Sequence, residues 1–512
     1  MIKWVKCGNF AICDLTYKST KVDKYNLIVT NFDKILWLKD ESTYDIICEG
    51  KPMKVHFCEA LSLDDVEILT GKNFSSEVGT EQIPEVEMIK GRCVGSMEFL
   101  DQHHRDYVNN YKFKSGDIMA VKSVAGSGKT TTLINLAKKN KNKSILYLAF
   151  NKKLIEEIRT KSPPNLEART FDSILREVFI HKTNITPNII DVKPYTIGRL
   201  IPWLSTKAYK LKKYYADKFT AFCNQARYDN IVEFCRARIG DNKPMLTRLW
   251  EDALLHRFHS FDTIRKICEV KHLCKDYLDD RFHMIFVDET QDFDEIMLNI
   301  LLRDTTIPKV FVGDHMQAIY QWRGCINAFD RLPSRTKFIE FYKSFRVGNP
   351  ACNEIRKKFP GCWMISGAKH ETRMLNYIEP GTKYTYLFRS WRGLFETACK
   401  TKNIWINDFD KQVSIMKDLA EKLKKFSLSE EEKASFSDDL PAFIMSLGSE
   451  KLNRMIDEIT LNMVPKDACI CEMYTIHAYK GLESDIVKLH NDIDNDNIHY
   501  VALTRGVKGI KA

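Results

Sequence analysis

Residues Ser123-Val124-Ala125-Gly126-Ser127-Gly128-Lys129-Thr130 follow a short apolar run, Ile118–Lys122. They precede a stretch with Leu133, Leu136 and Ala137 on one helical face. The spacing is a loose form of GxxxxGK[ST], with Ser123 at its first position. In a strand–loop–helix context Gly126 and Gly128 let the backbone turn its N–H groups toward phosphate oxygens. Ala125, Ser127 and Thr131 complete that cradle, and the helix amino terminus adds its positive dipole end. Lys129 is placed to reach the β- and γ-phosphates of ATP, and Thr130 to ligate Mg²⁺. A second cluster starts 159 positions after Lys129, where Ile285-Phe286-Val287 runs into Asp288-Glu289-Thr290-Gln291-Asp292. There Asp288 can hold Mg²⁺, directly or through water, and Glu289 can orient and deprotonate an attacking water. So large a separation predicts an inserted domain between the two clusters.

The elements that must carry these groups are short apolar runs alternating with helical stretches. The runs are Ile118–Lys122, Ile145–Ala149, Met284–Val287, Val310–Val312, Tyr384–Phe388, Met473–Ile476 and Tyr500–Leu503. That pattern predicts parallel sheets covered on both faces, with ligands bound at the carboxyl ends of the strands. The runs are too many for one ordinary sheet, so two α/β domains with insertions are expected. Residues 1–95 differ. They hold 12 Lys/Arg and 15 Asp/Glu, a net −3, and short runs at Leu27–Thr30, Ile35–Leu38, Tyr44–Cys48 and Met53–Cys58 suggest a β-meander. A short helix is predicted from Ser62 through Leu69, and the module is read as an accessory or partner-binding unit with no catalytic cluster.

The chain has 512 residues, of which 44% are hydrophobic and 29% charged, which excludes a disordered or low-complexity protein. Its formal net charge of +10 permits a nucleic-acid partner without demanding one. The 15 cysteines include no CxxC pair, which argues against a disulfide framework or a zinc ribbon. No run approaches the length of a membrane span, and the amino terminus lacks a signal-peptide pattern. The expectation is an intracellular protein, nuclear if the source is eukaryotic and cytoplasmic otherwise. Residues 179–266 carry 16 Lys/Arg against 8 Asp/Glu, a net +8, densest at Lys207–Tyr215 (KAYKLKKYY). A basic helical insertion lying over DNA fits that charge.

Taken in order, the motifs resemble those of superfamily 1 helicases of the UvrD/Rep type, from Gln102 to Arg505. DETQD resembles the family's second motif. AFNKKL (Ala149–Leu154) and TFDS (Thr170–Ser173) resemble motifs Ia and Ib, and VGDHMQAIYQWRG (Val312–Gly324) resembles motif III. SFR (Ser344–Arg346), TIHAYKGLE (Thr475–Glu483) and YVALTRG (Tyr500–Gly506) resemble motifs IV, V and VI. The Phe in SFR, the FNK of motif Ia, INAFD after motif III and KGLESDIVKLHNDI are most similar to the F-box DNA helicase branch, although residues 1–95 hold no convincing F-box. The resemblance implies two RecA-like domains. It divides the chain into a module at 1–95, domain 1A at 96–178 and 275–347, a 1B-like insertion at 179–274, domain 2A at 348–400 and 466–512, and a small 2B-like insertion at 401–465.

The resemblance also implies roles. Gln102 reads adenine, Phe345 stacks on it and Glu483 contacts the ribose. Gln317 senses the γ-phosphate, while Arg346 and Arg505 act as arginine fingers. Phe150, Asn151, Thr170, Phe171, Tyr320, Trp322, Arg323, Thr475 and His477 contact DNA, the aromatics by stacking. The implied activity is ATP-driven translocation on single-stranded DNA and at single-strand/duplex junctions, 3′→5′, in repair, recombination or replication, by a monomer or weak oligomer. A translocase that displaces proteins with little unwinding, and a nucleotide-gated binding module without catalysis, are the alternatives. Asp172 replaces the family's usual His and is expected to turn away from DNA or pair with a base. Only seven residues follow Arg505, which predicts a second domain that is incomplete or closed differently.

Overall fold

The computed structural model describes residues 94–512 except 195, 208, 240–243, 321–323, 360 and 425–439, together with the backbones of six short strands between residues 3 and 56. Strands Lys3–Cys7, Phe10–Asp14, Asn26–Thr30 and Lys34–Ile35 form an antiparallel sheet in chain order, and Thr43–Cys48 pairs with Lys51–His56 as a hairpin. The meander differs from the expected one: strands at Lys3–Cys7 and Phe10–Asp14 join those at Asn26–Thr30 and Lys34–Ile35, while the runs at Tyr44–Cys48 and Met53–Cys58 fall in the separate hairpin; the helix predicted at Ser62–Leu69 lies outside the described residues.

Two six-stranded, all-parallel sheets follow. The first has the order Lys337–Phe341, Ile118–Ser123, Lys309–Gly313, Met284–Val287, Ile145–Ala149, Leu166–Thr170. Its four central strands are buried on both faces. Ala120, Leu146, Leu148, Ile285 and Val287 face one core, and Met119, Val121, Tyr147 and Phe286 face the other. The second sheet has the order Arg373–Met374, Gly506–Lys511, Ser484–Leu489, Tyr384–Phe388, Cys471–Thr475, Ile404–Ile406.

Three expectations are corrected here. Tyr500–Leu503 is not a strand: it ends the helix Asp496–Leu503, capped by the Asn495 side chain accepting from the Ile498 N–H. A four-residue apolar run carries no period, and the polar cap decided its conformation. The residues after Arg505 form the strand Gly506–Lys511, which brings the second sheet to six strands, as many as the first. The described residues of 401–465 belong to the second domain rather than to a separate lobe. They supply the strand Ile404–Ile406, and Phe409, Met416, Phe443, Leu452 and Ile459 pack into the core that holds Phe388 and Phe395.

The basic insertion is helical, as its composition suggests, with its longest helices at Tyr209–Cys223, Pro244–Leu254 and Phe261–Val270. Phe219, Phe222, Trp250 and Ile264 join the cluster that covers one face of the first sheet. The densest basic patch is not uniformly solvated: Lys212 turns inward and donates to the Ser205 carbonyl, while Lys213 pairs with Asp217 at the surface.

Candidate active site and nucleic-acid interface

Polar residues at the strand ends build the site, and four of the strands stop where a side chain caps the next helix or turn. Asn151 caps Lys152–Lys161, Thr170 caps Phe171–Thr183, Asp314 caps His315–Gln317, and Thr475 caps Ile476–Tyr479. The ends of the two sheets face each other across a cleft of about 820 Å³.

The phosphate loop occupies one wall. Gly126 and Gly128 have φ of 71° and 80°, a region that disfavours side chains. A Cβ on Gly126 would lie 2.5 Å from that of Arg346, so glycine here permits close approach as well as the turn. Ser127 Oγ is buried with no hydrogen-bond partner, a hydroxyl left for a ligand. Lys129 Nζ lies 3.5 Å from Glu289 Oε1. Burial works against the Lys129 ammonium, but Glu289, Asp288 and Asp314 outweigh it and raise its pKa.

Thr130 Oγ1 and the Tyr147 hydroxyl both donate to Asp288 Oδ2, at 2.7 and 2.6 Å. Burial and the neighbouring Glu289 raise the pKa of Asp288. Burial acts against the Glu289 carboxylate as well, yet Lys129, Lys480 and Gln291 hold its carboxyl at about 2. One carboxylate is therefore pinned in its basic form, while a second stands beside the threonine that would share a cation with it. Among the described residues no cluster of three or more His, Cys, Asp or Glu side chains could hold a metal alone. Thr130 and Asp288 would supply protein oxygens to a Mg²⁺ whose other ligands would be phosphate and water.

The opposite wall comes from the second sheet. Arg505 is buried, and its Nη2 donates to Gln317 Oε1 at 3.2 Å. Burial, then Arg346, push its pKa down. Arg346 Nε donates to Glu483 Oε2 at 2.5 Å, so these two expected nucleotide contacts hold each other. Phe345 is half exposed on the cleft wall near Gly128. Ala125 is buried in the loop, and Thr131 lines the cleft. Gln102 is the exception: it is exposed, donates to Asp106 one turn along its own helix, and does not line the cleft.

The expected DNA contacts divide. Phe150 and Asn151 line the cleft, with Phe150 beside Tyr320, their ring centres 6.3 Å apart. The Tyr320 hydroxyl donates to the His477 carbonyl at 3.2 Å, and His477 Nε2 lies 3.2 Å from the Ile319 carbonyl, so these two motifs lock across the domains. Phe171 is corrected: it is 2% exposed and packs edge-on against Phe293, as a core residue that cannot stack on a base. Thr170 and Thr475 spend their hydroxyls as helix caps, accepting from the Ser173 and Ala478 N–H groups. Trp322 and Arg323 lie outside the described residues. Asp172 pairs with Arg265 of the insertion at 3.3 Å, which removes its charge from any phosphate path.

Sequence reasoning missed Lys480. It is buried, donates to both oxygens of Asp292 at 2.7 and 2.6 Å and to the Gln317 carbonyl at 2.8 Å, and covers the Tyr320 ring at 4.9 Å. The available signal was a lysine directly before Gly481 in TIHAYKGLE. Tyr147 was missed because its strand reads as uninterrupted core. Asp314 and Tyr500 lie within VGDHM and YVALTRG, where no local pattern separates them from their neighbours.

Residues 111–323 match a sequence family described as an AAA domain. The chain is 25% identical over 369 residues to F-box DNA helicase 1 of Gallus gallus, covering 64% of this chain and 35% of that protein. It is 26% identical over 262 residues to F-box DNA helicase protein 1 of Schizosaccharomyces pombe, covering 46% of this chain and 30% of that one. The chain thus spans about a third of the length of these relatives. A solved arterivirus nonstructural protein 10 (helicase) aligns over 80% of this chain and 60% of its own at 11% identity, with a TM-score of 0.30, too low to bear on the fold.

Proposed function

We propose, from the resemblance of its motifs to those of superfamily 1 helicases, that the chain is an ATP-driven motor on single-stranded DNA. The observation that carries this reading is the pairing across the cleft. Lys129, Thr130, Asp288 and Glu289 come from one sheet and Arg505 from the other, with Gln317 bonded to Arg505 between them. A single-domain nucleotide binder has no use for a buried guanidinium supplied from outside.

Bound Mg²⁺·ATP supplies the phosphoryl group and neutralises its developing charge. The chain's own groups do the rest. The turned N–H groups and Lys129 hold the phosphates, while Thr130 and Asp288 would hold the cation. Glu289, ionised throughout the neutral range, accepts a proton from water at its carboxylate. Arg505 stabilises charge on the transferred group, and Gln317 reports its presence. Closure of the cleft moves His477 and Lys480 with the second sheet, and both are bonded to the loop that carries Tyr320. Hydrolysis and the grip on a base at Tyr320 are therefore mechanically joined. A 3′→5′ direction, and action at single-strand/duplex junctions, belong to this reading through the family alone.

The test is ATP hydrolysis with and without single-stranded DNA, beside Glu289→Gln. Stimulation by DNA that vanishes in Glu289→Gln is the expected result. Nucleotide binding with no hydrolysis in either condition overturns the motor and leaves a nucleotide-gated binding module.

A further inference from the structure

Tyr500 is completely buried. It belongs to the helix Asp496–Leu503 of the second domain, yet its hydroxyl ends inside the first. It accepts from the Ala125 backbone N–H of the phosphate loop at 3.1 Å and donates to Asp314 Oδ2 at 3.0 Å. The same Oδ2 accepts from Gln317 Nε2 at 2.9 Å, and Gln317 Oε1 accepts from Arg505 Nη2 at 3.2 Å. The Asp314 N–H donates to Gln291 Oε1 at 3.1 Å, and Gln291 Nε2 donates to Glu289. A continuous chain of hydrogen bonds thus runs from the phosphate loop through Tyr500 and Asp314 to Gln317 and Arg505, with a branch through Gln291 to Glu289.

We propose that Tyr500 is a positioning residue for hydrolysis: through Asp314 its hydroxyl sets Gln317, and with it Arg505, against the phosphate loop. This rests on the motor reading above. The direction of each bond requires a hydroxyl at this place. Ala125 offers only a donor and Asp314 only acceptors, and a phenol serves both at once. Burial and the charge of Asp314 push its pKa far up, so it stays protonated and remains a donor. Without it, a buried N–H and a carboxylate lone pair are left unmet together. A turn of the carboxylate toward that N–H carries Oδ2 away from Gln317. Packing is a separate matter, because the ring lies edge-on to Phe359 at 5.7 Å and a phenylalanine keeps that contact.

The experiment is Tyr500→Phe in the full chain, read as DNA-stimulated ATP hydrolysis, ADP affinity and melting temperature. The expected result is a kcat lowered about tenfold or more, with KM for ATP and ADP affinity within about threefold and little change in melting. Combined with Gln317→Ala, the loss should be less than the product of the two single losses, because both variants cut one path. A kcat near wild type, or fully multiplicative losses, overturns the inference. Should Tyr500→Phe fold poorly, Asp314→Asn cuts the same path from its other end and is judged by the same criteria. A wild-type chain that ignores DNA overturns the motor reading and this one with it. A DNA-stimulated wild type beside a normal Tyr500→Phe overturns this one alone.

Discussion

Glu289 holds a left-handed backbone conformation, φ 52°, unusual for a residue with a long side chain. Its N–H donates to Asp288 Oδ1 at 2.8 Å and its carboxylate accepts from Gln291, so the conformation is tied down on both sides. Strain of this kind persists where the surroundings over-determine it, as at catalytic centres. Glu289→Gln should therefore melt like the wild type while kcat falls by roughly 10²–10⁴-fold, as loss of a general base implies. The adenine side gives a second residue-scale prediction. Phe345 lines the cleft and Gln102 does not. Phe345→Ala should raise KM for ATP about tenfold, the scale of one lost base stack, while Gln102→Ala should leave KM within about twofold. A large effect of Gln102→Ala would restore the role that the family resemblance gave it.

The buried pair Asp292–Lys480 joins elements of the two sheets, and burial raises the Asp292 carboxyl to about 6 despite that lysine. Above that value the carboxylate is charged and pairs with Lys480; as pH falls through about 6 it takes a proton and the pair loses one charge. DNA-stimulated turnover should fall on the acid side with a limb near pH 6. Asp292→Asn should lower the plateau and abolish that limb, which a pH–rate series will show. The elements also show what could be read in advance. The phosphate loop, DETQD and most core strands were legible because a buried parallel strand ending in polar groups has few other uses. Tyr500–Leu503 misled because four apolar residues fit a strand or a buried helix equally well. Phe171 misled because an aromatic beside Asp172 reads as exposed, whereas Arg265 brings that aspartate under cover. Neither Arg265, from the insertion, nor Lys480, from the other domain, is near its partner in the chain. No local pattern reveals such pairs.

At the scale of the whole molecule, the two domains share a core. Val124, Ala125 and Ile319 of the first pack with Ile476, Tyr500 and Leu503 of the second. Lys480 is the charged tie through that contact. Lys480→Ala leaves Asp292 buried without its cation, a change that typically costs about 3–5 kcal/mol. It should reduce stimulation by DNA far more than it reduces nucleotide affinity, as fluorescent ADP binding beside ATPase titrations with single-stranded DNA will measure. Proportional losses in both would mean that Lys480 only supports the fold. The insertion is likewise no appendage: its helices cover one face of the first sheet, so excising residues 184–274 should yield an insoluble chain rather than a smaller motor.

The strand leading into the phosphate loop, Ile118–Ser123, has neighbours only from Lys309–Gly313 and Lys337–Phe341. On a ribosome both arrive late. At roughly 5–20 residues per second, the nascent phosphate loop waits on the order of ten seconds or more with both strand edges unpaired. An aggregation-prone edge exposed for that long calls for a chaperone during synthesis. Stalled nascent chains ending before residue 309 should be cut readily by protease near the loop, and chains extending well past residue 341 should be protected there.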